Sequence, residues 1–159
     1  MRRTDREVKD MEDILSIIKK CDVCRLAFFD EEFPYIIPLN FGYSYENEEL
    51  LFYFHSAKVG KKLDLIAANN KVSFEMDCSH ELIEGDEACK YSMAFESVCG
   101  NGQVELLEKE SKILALNKLM KQYTGKEDFH FDEKVLTMTE VFQLKVNSIT
   151  GKRKTINKN

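Results

Sequence analysis

"FYFHSAKVGKKLDLI", residues 52–66, changes character in its middle. Phe52 to Phe54 form an apolar, strand-type run that ends at His55. After Gly60, Leu63, Ile66 and Ala67 recur at the spacing of one helix face. One histidine, a serine and three lysines therefore sit at the junction of an expected strand and an expected helix. If the strand ends at His55, Ser56 is a natural N-cap, and the next backbone N–H groups lack partners within the helix. Such a terminus attracts anions, and Lys58, Lys61 and Lys62 would add charge suited to a phosphate monoester. The Gly60-Lys61 pair is not a Walker A loop, because Lys62 stands where that motif needs Ser or Thr. Charge pattern alone favours a plainer arrangement, a solvated helix face with His55 closing a strand.

The rest of the chain limits what such a junction can serve. Its 159 residues suit one domain, and 43% apolar with 32% charged residues is a globular balance. A net charge of -5 argues against broad nucleic-acid binding, which needs a surplus of Lys and Arg. Any anion site must be local. The N-terminus has no continuous apolar core of a signal peptide, and no run approaches the ~20 residues of a membrane span. A cytoplasmic protein that makes no membrane contact is expected. In that compartment Cys21, Cys24, Cys78, Cys89 and Cys99 read as thiols.

Outward from the opening stretch, Asp10 caps a helix over "MEDILSIIKK", with Ile14, Leu15, Ile17 and Ile18 on its apolar side and an end near Lys20. "CRLAFF" and "FPYIIPLNFGYSY" read as strands joined by the acidic "DEE", and Pro34 and Pro38 make the second an edge or interrupted strand. "LLFYF" and "KVSFEM" are further strands on either side of the 60–70 helix, which Asn69 and Asn70 stop. "DCSHELIEGDEACK" lacks periodicity and reads as a solvated loop. "YSMAFESVCGNGQVELL" is a long strand bent near Gly100 and Gly102. "EKESKILALNKLMKQYTG" is a helix with Ile113, Leu116, Leu119 and Met120 as its buried stripe, stopped at Gly125. "TEVFQLKV" is the last strand. Six strands and about three helices without β-α alternation predict a mainly β fold, an antiparallel barrel with peripheral helices. Residues 1–150 form the domain and 151–159 a basic tail.

Two other clusters carry weaker signals. Cys21 and Cys24 form a lone CxxC, to which Cys78, His80 and Cys89 could add zinc ligands, but the last two cysteines are eleven apart and no metal is expected. No Ser-His-Asp order suggests a hydrolase.

Read together, "YIIPLNFGY" at 35–43, "LFYFHSAKVGKKLDLIAANNKVSFEMD" at 51–77 and "FESVCGNGQVELL" at 95–107 resemble the pyridoxamine 5'-phosphate oxidase-related split-barrel flavoproteins, and within them the nitroimidazole-resistance (Nim) branch. The resemblance implies a six-stranded split β-barrel that forms a homodimer and binds FMN between subunits. It implies that His55, Ser56, Lys58, Gly60, Lys61 and Lys62 receive the flavin phosphate and ribityl chain, and that Pro38, Leu39, Asn40 and Phe41 lie along the isoalloxazine. Glu96 and Ser97 match the segment that the partner subunit brings to the cofactor. The arginine-rich flavin pattern of true pyridoxamine phosphate oxidases is not found at "CRLAFF", and "GKRKTINKN" lacks their substrate-binding ending, so vitamin B6 oxidation is not expected. Asn70 also stands where many relatives place proline.

The implied activity is an FMN-dependent reduction of a small acceptor such as a nitroaromatic, with NAD(P)H or another donor supplying electrons; His55 either polarises or protonates the acceptor or is a structural or phosphate-side hydrogen-bond donor. The alternative is a non-catalytic split barrel that carries flavin, F420 or haem.

Overall fold

A computed structural model describes residues 3 to 156. In chain order its elements are β1 (Glu7–Val8), α1 (Met11–Lys20), β2 (Cys24–Phe28), β3 (Tyr35–Leu39), β4 (Gly42–Glu46), β5 (Glu49–Ala57), α2 (Lys61–Ala68), β6 (Lys71–Ile83), β7 (Ser92–Leu106), α3 (Lys109–Thr124), α4 (Glu133–Met138) and β8 (Thr139–Lys154). The strands form one antiparallel sheet in the order β3-β2-β6-β7-β8-β5-β4, with β1 added beside β8. The outermost strands, β3 and β4, are joined by Asn40 and Phe41 alone. So short a link obliges the sheet to curl until its two ends meet. The result is the expected antiparallel barrel, split along the β3–β4 seam.

Eight strands replace the expected six, because the run 33–45 supplies two and the two-residue β1, which carries no sequence signal, pairs beside β8. The run 33–45 divides into β3 and β4, because the chain crosses the split at Asn40 and Phe41 rather than continuing one ladder. Residues 77–83, read as loop, extend β6 and pair with β7 as far as Ile83 opposite Ser92. This end of the hairpin is mostly exposed, so no apolar alternation marks it, and Ser79 at φ 59° falls in the irregularity between Cys78 and Glu81. At the C-terminus β8 runs on to Lys154, so Gly151 to Lys154, set apart as tail, belong to a strand. Gly151 is buried against Val8 and Ile14, which is what keeps this segment on the barrel. Of the remainder of the expected tail, 155 and 156 follow the strand and 157–159 lie outside the described residues.

Inside the barrel Phe41, Phe52 and Phe74 meet edge to face, with ring centroids 5.8 and 5.2 Å apart, and Phe54 stacks on Phe142 at 5.2 Å. Burying each such ring contributes about 2–3 kcal/mol. α1 closes one side with Ile14, Ile17 and Ile18, behind the Asp10 cap that accepts from the Glu12 N–H at 3.1 Å. A second cluster lies outside the barrel, where Tyr53 and Val141 pack under Ala115 and Leu116 of α3. The α3 stripe is therefore shifted from expectation. Leu116 and Leu119 are buried with Ala115, whereas Ile113 is 42% exposed and Met120 only partly covered. In α2 only Ile66 is buried and Ala67 is exposed. α4 was not legible as a helix, although its Asp132 cap accepts from Lys134 and Val135 N–H at 2.8 and 3.3 Å.

α3 approaches β4 so closely that a Cβ on Gly42 would collide with the backbone of Lys118 and Leu119. Backbone cannot yield as a flexible side chain would. Gly42→Ala should therefore destabilise the fold by about 3 kcal/mol, and thermal unfolding of the variant should show a melting temperature lower by about 9 °C.

Candidate functional site

Along β5, Phe52 and Phe54 point into the barrel, while Tyr53 and His55 face outward. Tyr53 is roofed by α3 and His55 emerges beyond that cover, opposite Val141 of β8. Pairing with β8 carries β5 on to Ala57, opposite Thr139. Ser56 is thus a strand residue whose hydroxyl donates to the Ala57 carbonyl at 2.8 Å, and it does not cap α2. The cap position falls to Gly60, at φ 137°, which offers no side-chain acceptor. Leu63 N–H donates to the Gly60 carbonyl at 2.9 Å, and among the described residues no acceptor takes the N–H groups of Lys61 and Lys62. A Cβ on Gly60 would meet nothing within 4 Å, so this terminus opens onto free space.

The lysines divide among three settings. Lys61 Nζ lies 2.5 Å from Asp30 Oδ2 and 5.4 Å from the centre of the Tyr35 ring, which fastens the start of α2 to the β2–β3 turn. The Lys61 hydrogen bond holds the Asp30 carboxyl below its ordinary range. Lys62 stands near His55. Desolvation first, and the Lys62 ammonium second, hold the imidazole below its usual pKa, so it is neutral near pH 7 with one ring nitrogen free to accept a proton. Lys58 lines a separate cleft of about 520 Å³ shared with Glu108, Glu110, Lys112 and Glu140, a mixed-charge setting.

Tyr35 is also the first residue of β3, and Pro38 lies three residues, about 10 Å, further along. β3 is a terminal strand, so one edge of its backbone lacks a ladder partner within the chain. Pro38 and Asn40 are exposed and Leu39 partly so. Phe41 differs from this group. Its ring is fully buried and its N–H donates to Tyr123 Oη at 3.0 Å, while that hydroxyl donates to the Asp22 carbonyl at 2.7 Å. Asn40 Nδ2 reaches the same carbonyl at 3.2 Å.

Glu96 and Ser97 occupy another region. Glu96 faces Arg153 across the β7–β8 ladder, whereas His55 faces Val141, twelve residues and about 40 Å of strand away along β8. The two residues also point to opposite faces. Glu96 is 6% exposed and accepts from Lys20 Nζ at 2.6 Å, Arg153 Nε at 2.6 Å and Ser79 Oγ at 2.9 Å. Arg153 in turn bonds Asp13 at 3.1 Å, so one carboxylate ties α1, β6 and β8 together. Ser97 lies on the outer face between Asp77 and Lys152.

One chain therefore gathers His55, Gly60, Lys61 and Lys62 with Asp30 and Tyr35, at the start of the strand that bears Pro38 and Leu39 and leads to Asn40. It does not bring Lys58, Glu96 or Ser97 to that group. Asp30 and Tyr123 carried no sequence signal beyond an acidic turn and a helix-end tyrosine. Among the described residues no group of three or more His, Cys, Asp or Glu is arranged to hold a metal, and no helix is long and apolar enough to cross a membrane.

The sequence pattern of the family described as pyridoxamine 5'-phosphate oxidase matches residues 10–153. Among the curated proteins nothing matches. Among solved structures, a candidate 5-nitroimidazole antibiotic resistance protein from Bacteroides thetaiotaomicron is 35% identical, with a TM-score of 0.78 over 92% of this chain and 85% of that one. A flavocytochrome from Azotobacter vinelandii is 17% identical, with a TM-score of 0.77 over 98% and 72% of the two chains. A FAD- and haem-binding protein from Mycobacterium smegmatis is 15% identical, with a TM-score of 0.80 over 95% and 74%. At such identities the last two bear on the fold alone.

The Glu96 hub predicts a pH dependence. Burial alone would raise this carboxyl, but the donors Lys20, Ser79 and Arg153 outweigh it and the pKa is lowered. A depressed carboxylate contributes its full stability above the unfolded value of about 4.3, and loses it as pH falls through the folded value. Glu96→Gln should cost about 3 kcal/mol at pH 7. In paired denaturant titrations the gap from wild type should narrow steadily below pH ~4; a gap independent of pH would contradict the ionised hub.

Proposed function

The chain belongs to the pyridoxamine 5'-phosphate oxidase family, and from that premise we propose that it is an FMN-dependent oxidoreductase that reduces a small acceptor such as a nitroaromatic, with electrons from a nicotinamide or other donor. The observation that carries this reading is the N–H pair at the start of α2, which has no acceptor among the described residues, open at Gly60 and flanked by Lys61, Lys62 and His55. In a protein of net charge -5, that is a local anion receptor of phosphate size. The 35% identical structure, described as a candidate nitroimidazole resistance protein, supports the acceptor class.

The residues fit the cofactor in charge and layout. Lys62 and the α2 N–H groups would hold the phosphate, while Lys61, steered by Asp30 and Tyr35, would sit beside it. The unpaired edge of β3 from Tyr35 toward Asn40 would offer backbone groups to the ring system, with Pro38 and Leu39 against its face. Bound there, FMN would supply the hydride or electron transfer. His55, neutral near pH 7, would orient the acceptor or the phosphate by a ring hydrogen bond. Ser97, remote from this group within its own chain, would reach it from a second subunit, which makes a homodimer with the cofactor at its interface part of the proposal. Glu96, committed to its internal ion pairs, would act by shaping that segment rather than by touching the cofactor.

The purified protein should be yellow, with a flavin spectrum and one FMN released per subunit, and should bleach with NADH or NADPH in the absence of air. A haem spectrum, or a colourless protein that ignores added FMN, would overturn the cofactor. Flavin that no donor bleaches would overturn the reductase activity. Lys62→Ala should weaken FMN binding about tenfold, about 1.4 kcal/mol, and leave riboflavin binding nearly unchanged. Equal losses for both ligands would remove Lys62 from the phosphate.

A further inference from the structure

The CxxC spacing suggests Cys21 and Cys24 as partners, but the fold separates them. Cys24 points into the barrel and is fully buried. Cys21 is the C-cap of α1, and its N–H donates to the Ile17 and Ile18 carbonyls at 3.3 and 3.1 Å. From β6, the Cys78 thiol reaches the same Ile17 carbonyl at 3.9 Å and the Glu96 carboxylate at 4.0 Å, which brings it beside Cys21, whose thiol it helps to hold above its ordinary pKa. Cys21 is 2% exposed, while Cys78 is half-buried beside Ser79, whose hydroxyl lies 3.6 Å from its sulfur. Cys21 sits at a helix end, and Cys78 borders the register irregularity between Cys78 and Glu81.

We propose that Cys21 and Cys78 are a redox modification site that closes to a disulfide and fastens the end of α1 to β6. The oxidant is a low-molecular-weight disulfide of the glutathione type. Cys78, the accessible member, loses its proton to solvent, and its thiolate attacks one sulfur of the reagent and expels the first glutathione thiolate. Cys21 then loses its proton and attacks the Cys78 sulfur of the mixed disulfide, forming the protein S–S bond and expelling the second glutathione. Two electrons and two protons leave the protein thiols, and one reagent disulfide becomes two thiols. Burial pushes the Cys21 thiol up, so the closing step should accelerate as pH rises above 7. This inference does not depend on flavin binding.

The test uses the full chain carrying Cys89→Ser and Cys99→Ser, treated with oxidised glutathione at pH 8, alkylated and digested with trypsin. Mass spectrometry should find the peptide 21–25 joined to the peptide 72–90, two hydrogens lighter than the reduced pair and released by dithiothreitol. The link should persist with Cys24→Ala and vanish with Cys21→Ser or Cys78→Ser. Fragmentation of the linked peptide assigns the sulfur to Cys21 or Cys24 without any further variant. Glutathione adducts alone, or a link that maps to Cys24, would overturn the proposal.

Discussion

Two residues, Asn40 and Phe41, join the outermost strands of the sheet, and this brevity is the constraint on which the molecule is built. Three Cα steps from Leu39 to Gly42 span at most about 11 Å, so β3 and β4 cannot be far apart although they stand at opposite ends of the strand order. Closure then has to be filled and pinned. Phe41 fills it from within, packed edge-on against Phe52. From outside, α3 pins it, with Tyr123 holding the Phe41 N–H and Gln122 donating to the Cys21 carbonyl at 2.9 Å. The missing Cβ of Gly42 lets that helix lie directly on the strand.

How far the sequence announces this depends on whether an element is half-buried. α1 and the bend of β7 were legible because apolar spacing, a cap and two glycines agree with their environment, and the register shift at Asn101 and Gly102 falls where those glycines stand. The distal β6–β7 hairpin was not legible, since a mostly solvated ladder needs no alternation and its acidic residues read as loop. Likewise, no local pattern can reveal that one aromatic run, 33–45, supplies both ends of a sheet. The start of α2 shows the same division. Its charge was visible in sequence. That Asp30 and the Tyr35 ring hold Lys61, that Lys62 stands near His55 and that Lys58 lines a mixed-charge cleft are consequences of tertiary contact.

Charge in this chain is organised by pairing rather than by excess. At one end a single buried carboxylate, Glu96, is saturated by three donors and acts as a structural hub. At the other, the first two backbone donors of α2 have no acceptor among the described residues and the nearby histidine is kept neutral. The same chemistry of cation, hydroxyl and carboxylate thus yields an inert joint in one place and a receptive surface in the other. The difference lies in whether the acceptor is built into the chain.

The position of β8 has a consequence for how the molecule comes into being. The last strand in sequence is central in space, paired with β7 and β5 and flanked by β1. Until residues 139–154 have been synthesised, β7 and β5 each expose an unpaired edge and the barrel cannot close. Its pairings are long-range in sequence, so the barrel closes only after residues 139–154 have been synthesised, and folding proceeds slowly for the size of the chain. During that interval the open edges of β5 and β7 are templates on which a strand of another chain can pair.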